Sequence, residues 1–164
     1  MRILFLGNNW VGWQALAWLV EQQEDVVGVV LHPVERRAYG KEILETTQRD
    51  ATPVFDGSQL RDPEVIEAIA TLEPEIGVSV SFGYVLRKDL FERIPYGCIN
   101  VHPAMLPFNR GAHPNIWSIV EGTPSGVSIH YIDEGIDTGD IIAQREVPIE
   151  VTDTGETLYR RLES

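Results

Sequence analysis

The sequence predicts an α/β fold of the Rossmann-like kind: a twisted, mostly parallel sheet with helices on both faces and an antiparallel C-terminal hairpin. Three observations predict it. Short continuous apolar runs alternate with helical spacing in the first half, the pattern of strands buried on both faces. RILFLG, VGWQALAWLVEQ and DVVGVVLH make an opening strand, helix and strand. The last two strand-like runs, GVSIHYI and DIIAQREVPI, are separated only by an Asp- and Gly-rich loop, as hairpin strands are.

Each element has its own signal. Residues 2–7 are apolar and end in Gly7, and residues 11–22 put Val11, Ala15, Trp18 and Leu19 at helical spacing. Residues 25–32 return to β-branched side chains. Residues 36–49 are polar with little periodicity and are expected as an exposed helix or a mobile loop. Residues 62–74 begin with an Asp cap and a Pro at the first helical position, and Val65, Ile66, Ile69 and Leu72 form one face. Strands follow at 76–83, 97–102, 126–132 and 140–149, with a helix at 112–122. Thr154 or Thr157 caps a final helix that the chain cuts after two turns, so 1–164 is expected as one domain, truncated or excised from a longer chain.

Composition bounds the function. The 164 residues, 43% hydrophobic, suffice for one domain with a real core. No apolar run approaches roughly 18 residues, and MRILFLGNNW lacks the pattern of a secretory signal, so a cytoplasmic chain with no membrane partner is expected. A net charge of −12 disfavours direct nucleic-acid binding by this segment. Cys98 is the single cysteine and cannot form an internal disulfide, consistent with a reducing compartment.

Several motifs invite chemistry. GNNWVG has Asn9 where a dinucleotide fingerprint needs its middle Gly, and residue 32 is His where that fingerprint needs an acid, so it reads as a tight strand-to-helix turn. The free amides of the helix start still attract an anion. Cys98 is too far from His102 along a strand, roughly 13 Å over four residues, for a thiol–imidazole pair. It is expected as a small buried side chain. Asn100 and His102 are two apart and share one strand face about 6.6 Å apart, where they bracket a reacting carbonyl or merely cap nearby loops. The loop YIDEGIDTGDII offers Asp133, Glu134, Asp137 and Asp140, and one carboxylate beside the imidazole raises its pKa and orients it as a proton donor. Ligands of open α/β sheets bind at the carboxyl ends of strands, where all these residues fall. A metal held by His102, His113, His130 and Asp137 has no recognised ligand spacing, and none is expected.

The ordered set INVHPAMLPFNRGAHP and GVSIHYIDEGIDTGDII resembles the formyltetrahydrofolate-dependent formyltransferase family, whose members act on glycinamide ribonucleotide, methionyl-tRNA and nucleotide-linked amino sugars. The family pattern of Asn-x-His, Leu-Pro, a Gly turn and a later Asp falls here on Asn100, His102, Leu106, Pro107, Arg110, Gly111 and Asp137. The similarity runs over essentially the whole chain and is densest over 97–142.

The resemblance implies a Rossmann-like catalytic domain that passes the formyl group of 10-formyltetrahydrofolate directly to a primary amine. Asn100, His102 and Asp137 would then be the catalytic set. Attack of the amine creates a tetrahedral oxyanion that Asn100 and protonated His102 receive, while a water or the His102/Asp137 pair relays the proton. No metal is implied. Phe82, Gly83, Tyr84, Val85 and Leu86, with backbone of Ile132, Asp133, Glu134 and Gly135, would line the pterin. Asn8, Asn9, Trp10, Arg110 and His113 would meet the acceptor. GNNWVG lacks the serine and asparagine that members acting on glycinamide ribonucleotide place there, and FNRGAHPNIW resembles sugar-amine members, so a nucleotide-linked amino sugar is the expected acceptor. The alternatives are an aminoacyl group on tRNA or on a peptide-synthetase carrier, with this chain one domain of a larger protein, and a non-catalytic folate- or nucleotide-binding module.

Overall fold

The computed structural model describes residues 1–47 and 52–164. A seven-stranded sheet has the order β3-β2-β1-β4-β5-β6-β7. Its strands are β1 Arg2–Gly7, β2 Asp25–Leu31, β3 Val54–Asp56, β4 Ile76–Val80, β5 Cys98–His102, β6 Gly126–Tyr131 and β7 Ile141–Glu146. The helices are α1 Asn9–Glu21, α2 Gly40–Thr46, α3 Pro63–Ala70, α4 Lys88–Phe91, α5 Pro114–Glu121 and α6 Gly155–Leu162. The chain forms two compact units, Met1–Ile99 and Asn100–Ser164, with the boundary inside β5.

In Met1–Ile99, β1 pairs in parallel with β2 and β4, and β2 with β3. Gly7 stands opposite both Leu31 and Val80, and Leu31 opposite Asp56. The carboxyl ends of four strands are therefore level, which brings the residues that follow them to one edge. The sheet interior is apolar, with Leu4, Phe5, Leu6, Val29, Val30 and Leu31 fully buried. Asp62 caps α3, its Oδ1 accepting from Glu64 N–H, and Ile66 and Ile69 form the buried face.

Helix α1 buries a different face from the expected one. Gly12 and Leu16 are the buried positions, whereas Trp18 is 59% exposed. A Cβ at Gly12 would lie 3.3 Å from the Val80 carbonyl oxygen. Close approach of helix to strand at a glycine sets the rotation, and in a helix apolar on most sides that contact outweighs the summed pattern. Residues 36–49, expected as an exposed helix or loop, yield α2, which buries Gly40 and Ile43, while 48–49 lie outside the described residues. The three-residue β3 is too short for a periodic signal.

In Asn100–Ser164, β6 and β7 pair antiparallel, as the hairpin pattern predicts, with a register shift between Ile129 and His130. Such a bulge re-aims the side chain that follows it. Thr154 and Thr157 cap α6 reciprocally, each side chain meeting the other residue's backbone N–H. Asn115 Nδ2 donates to Gly155 O at 2.7 Å and ties α5 to the start of α6.

Cys98 is fully buried, and burial pushes its thiol pKa up to about 12, so it is the inert small side chain the sequence predicts. Its sulfur occupies the place of a side chain on Gly77, where a Cβ would lie 2.3 Å from Cys98 Sγ. Gly77→Ala should therefore destabilise the fold by about 1–3 kcal/mol through overpacking. Cys98→Ala in the same chain should recover part of the loss, giving a non-additive double-mutant cycle in denaturant unfolding.

Candidate active site

Strand β5 delivers Asn100 and His102 to one side, and the chain turns immediately after His102. A buried polar network holds that turn. Ser128 Oγ donates to Ala104 O at 2.7 Å and accepts from Leu106 N–H at 3.1 Å. Gln144 Nε2 donates to Leu106 O at 2.8 Å and contacts Ser128 Oγ at 2.9 Å. Side chains of β6 and β7 thus fix the path of residues 104–106, and the backbone of Asn109 and Gly111 follows from it.

Asp137 joins the pieces. Its Oδ2 accepts from Gly111 N–H at 2.8 Å and stands 3.6 Å from His102 Nε2, while Oδ1 stands 3.5 Å from His130 Nε2. The two imidazole rings are perpendicular, with centroids 6.3 Å apart. Asp137 adopts φ +52°, and Asn109 and His113 are also left-handed at +52° and +55°. Such conformations cost roughly 1–3 kcal/mol each and persist where surrounding contacts over-determine them. Here they aim one carbonyl and one carboxylate at the same imidazole.

The hydrogen-bond partners assign the protons. His102 Nε2 is 3.2 Å from Asn109 O, and with the Asp137 carboxylate beside it both neighbours are acceptors, so Nε2 carries the hydrogen. The neutral ring then offers its lone pair on Nδ1. His130 Nδ1 donates to Tyr131 O at 2.8 Å, which leaves Nε2 to accept from the Asn100 amide nitrogen at 3.3 Å. Asn109 is braced in turn, its Oδ1 accepting from Thr123 Oγ1 at 2.6 Å and its Nδ2 donating to Glu121 Oε2 at 3.3 Å.

One electrostatic expectation is reversed. The carboxylate was expected to raise the His102 pKa and keep the ring protonated. The His102 pKa is instead lowered, because burial outweighs the attraction of Asp137 and the Asn109 carbonyl, and His130 adds to the lowering. Only 6% of His102 is exposed, so the imidazolium loses most of its hydration. The resting ring is a neutral proton acceptor backed by a carboxylate, and a proton arriving on Nδ1 is stabilised by Asp137.

The predicted residues divide between the two units. Asn100, His102 and Asp137 converge as described. In the same unit Arg110 and His113 are exposed, and Ile132, Asp133, Glu134 and Gly135 form the turn after β6. Asp133 Oδ1 accepts from Thr138 Oγ1 at 2.5 Å and Gly135 N–H at 3.0 Å, and chiefly the Thr138 bond lowers its pKa. Its carboxylate thus shapes the loop. In Met1–Ile99, Asn8 Oδ1 accepts from Ala38 N–H at 2.8 Å. Asn9 Oδ1 accepts from Val11 and Gly12 N–H at 3.0 and 3.3 Å, so these amides at the start of α1 are already satisfied rather than free for an anion. Trp10 is 38% exposed, and Phe82 and Tyr84 stand with ring centroids 5.5 Å apart.

His130 is the residue that sequence reasoning did not place, having weighed it only as a metal ligand. Its signal was alternation: Ser128 and His130 are polar inward positions on a strand whose other positions are apolar. Asn109, Glu121 and Thr123 carry no such pattern. Among the described residues no group of three or more His, Cys, Asp and Glu side chains is arranged to hold a metal ion.

The chain is 38% identical over 168 residues to the methionyl-tRNA formyltransferase of Geotalea uraniireducens, covering 99% of this chain and 54% of that protein. The chain therefore spans about half the length of the curated relatives it matches. Its structure is similar to phosphoribosylglycinamide formyltransferase from Bacillus halodurans, with a TM-score of 0.81 and 26% identity over 99% of this chain and 88% of that one. It is also similar to a sugar N-formyltransferase from Shewanella sp. FDAARGOS_354, with a TM-score of 0.79 and 25% identity over 99% of this chain and 63% of that one. With residues 1–164 all matching the formyl transferase family, the chain belongs to that family.

Proposed function

We propose that this chain is the catalytic part of an N-formyltransferase that moves the formyl group of 10-formyltetrahydrofolate directly to a primary amine. The observation that carries the reading is a buried, neutral His102 with its Nε2–H directed at Asn109 O and Asp137 and its lone pair on Nδ1. The folate supplies a formyl carbon already bonded to a nitrogen of modest basicity. The amine loses one proton and the folate nitrogen gains one, so the exchange balances if one proton crosses the site. His102 Nδ1 takes that proton and returns it, with Asp137 stabilising the imidazolium in between. Asn100, oriented by His130, donates an N–H to the formyl oxygen as it gains negative charge. Cys98 has no part in this scheme, and no covalent enzyme adduct is required. Phe82, Tyr84 and exposed Val85 offer flat and apolar surface suited to a pterin ring.

A nucleotide-linked amino sugar remains the acceptor that the loop FNRGAHPNIW favours. A second reading, an aminoacyl group on tRNA, is favoured by the methionyl-tRNA formyltransferases among the relatives. A panel assay separates them: tetrahydrofolate release is followed with 10-formyltetrahydrofolate and either a nucleotide-linked amino sugar or methionyl-tRNA. The acceptor giving His102-dependent turnover is the substrate class, and absence of turnover with every amine refutes the transferase reading for this chain.

His102→Ala should lower kcat by about 10²–10⁴ through loss of the proton acceptor. Asn100→Ala should cost about 10²–10³ through loss of the oxygen-facing donor. A non-catalytic folate-binding module would lose neither activity, so biological complementation by these variants also discriminates.

The pH dependence has a definite sign. Because the His102 pKa is lowered, the neutral, active ring persists below the ordinary histidine value of 6.5, and kcat should fall only as pH drops through the lower value. Asp137→Asn should reduce kcat and move that limb further down, since Asp137 raises the pKa more than the Asn109 carbonyl does. The stability contribution of the neutral ring is fully present above pH 6.5 and declines as pH falls toward the lowered folded value, where the unfolded chain already binds the proton. Denaturant unfolding across pH 7 to 5 should show this slope, and His102→Gln should reduce it.

A further inference from the structure

The reaction just described gives no role to His32, which follows β2 and is gripped from several sides within Met1–Ile99. Gly83 N–H donates to His32 Nε2 at 3.1 Å. The Asn8 amide nitrogen stands 3.3 Å from Nδ1. The direction of that amide is set by its other contacts, since its oxygen accepts from Ala38 N–H at 2.8 Å and its nitrogen donates to Arg36 O at 3.4 Å. The rings of Phe82 and Tyr84 meet the imidazole edge-on, with centroids 5.4 and 5.1 Å away. One imidazole therefore touches three consecutive residues of the segment 82–86.

Both ring nitrogens face donors, which constrains the proton count. A neutral imidazole has one lone pair, which the Gly83 amide takes while the Nδ1–H lies beside the Asn8 nitrogen, whereas an imidazolium has no lone pair for either donor. Protonation would set one N–H against another at Gly83 and leave the backbone amide without its acceptor. The charged and titratable groups around the ring are Arg36 and Arg37 after β2, Asp56 at the end of β3 and the phenol of Tyr84. Burial and Arg36 lower the His32 pKa, and Asp56 opposes them more weakly.

We propose that His32 is a positioning residue for the formyl donor, locking the Gly83 backbone and the Phe82 and Tyr84 rings into the shape that receives the flat pterin. This rests on the reading of 82–86 as donor-binding surface. The neutral ring holds the segment and the imidazolium releases it, so donor affinity falls as pH drops through the titration of His32.

The test uses the 164-residue chain and 5-formyltetrahydrofolate as the probe. His32→Leu should weaken probe binding and raise the donor KM about tenfold, the loss of one hydrogen bond together with the ring contacts to Phe82 and Tyr84, while kcat at saturating donor and the acceptor KM change less than about twofold. His32→Gln, whose side-chain oxygen can accept the Gly83 amide, should recover most of the affinity, and Tyr84→Ala should weaken binding as His32→Leu does. In the unsubstituted chain the Gly83 amide resonance should titrate together with the His32 ring, a readout that needs no variant to fold. If Tyr84→Ala weakens binding but folded His32→Leu does not, or if the Gly83 amide ignores the ring's titration, the role of His32 is refuted while the donor surface stands. If neither substitution affects binding of the probe, the donor-surface reading fails and His32 with it.

Discussion

The arrangement of the Asn100–Ser164 unit depends on where one carboxylate is placed. Asp137 must receive a backbone amide and face two imidazoles at once, and no regular strand or helix position offers that geometry. The chain meets the demand with a left-handed residue at the tip of a loop whose two ends are clamped into an antiparallel pair. The glycines beside it serve the same purpose. A Cβ on Gly139 would lie within bonding range of the Tyr131 carbonyl oxygen, so the hairpin can close over Asp137 only if residue 139 has no side chain. Ser128 of β6 and Gln144 of β7 hold Leu106, from which the chain runs on to the left-handed Asn109.

Burial decides how that carboxylate acts. In an exposed loop an Asp beside a His would favour the imidazolium, and the pair would rest as an ion pair. Here the loss of hydration is the larger effect, so the ring rests neutral and the Asp–His interaction gains strength only when a proton arrives. The attraction is held in reserve for the charged state. His130 ties Asn100 to the same carboxylate, its Nε2 lying 3.3 Å from the Asn100 amide nitrogen and 3.5 Å from Asp137 Oδ1.

Much of this was legible in the residues, for identifiable reasons. Apolar runs report burial on both faces, so β1, β2 and β4 were plain, and Asp62-Pro63 marks a helix start by chemistry that acts within one turn. The pairing of Asn100 with His102 follows from the two-residue period of a strand. The buried face of α1 was not legible, because it is decided by contact of Gly12 with a carbonyl from another strand rather than by hydrophobicity along the helix. Nor was the protonation of His102, since a net pKa shift is a contest between desolvation and charge that only three-dimensional burial resolves. His130 escaped for a different reason: alternation puts it inward with Ser128, but only the fold shows that Asn100 and Asp137 are what it meets there.

The two contacts that the 103–111 segment makes to His102 and Asp137 come from the main chain, the Asn109 carbonyl and the Gly111 amide. Any residue supplies a carbonyl, so the identity of the neighbouring side chains is largely uncoupled from the geometry at His102. Phe108, Arg110 and His113 are all exposed around this backbone frame. Under the proposed reaction, those side chains can be exchanged to suit a different amine while the backbone contacts to His102 and Asp137 keep their geometry. A change of acceptor would then fall on exposed side chains and leave the buried frame beneath them intact.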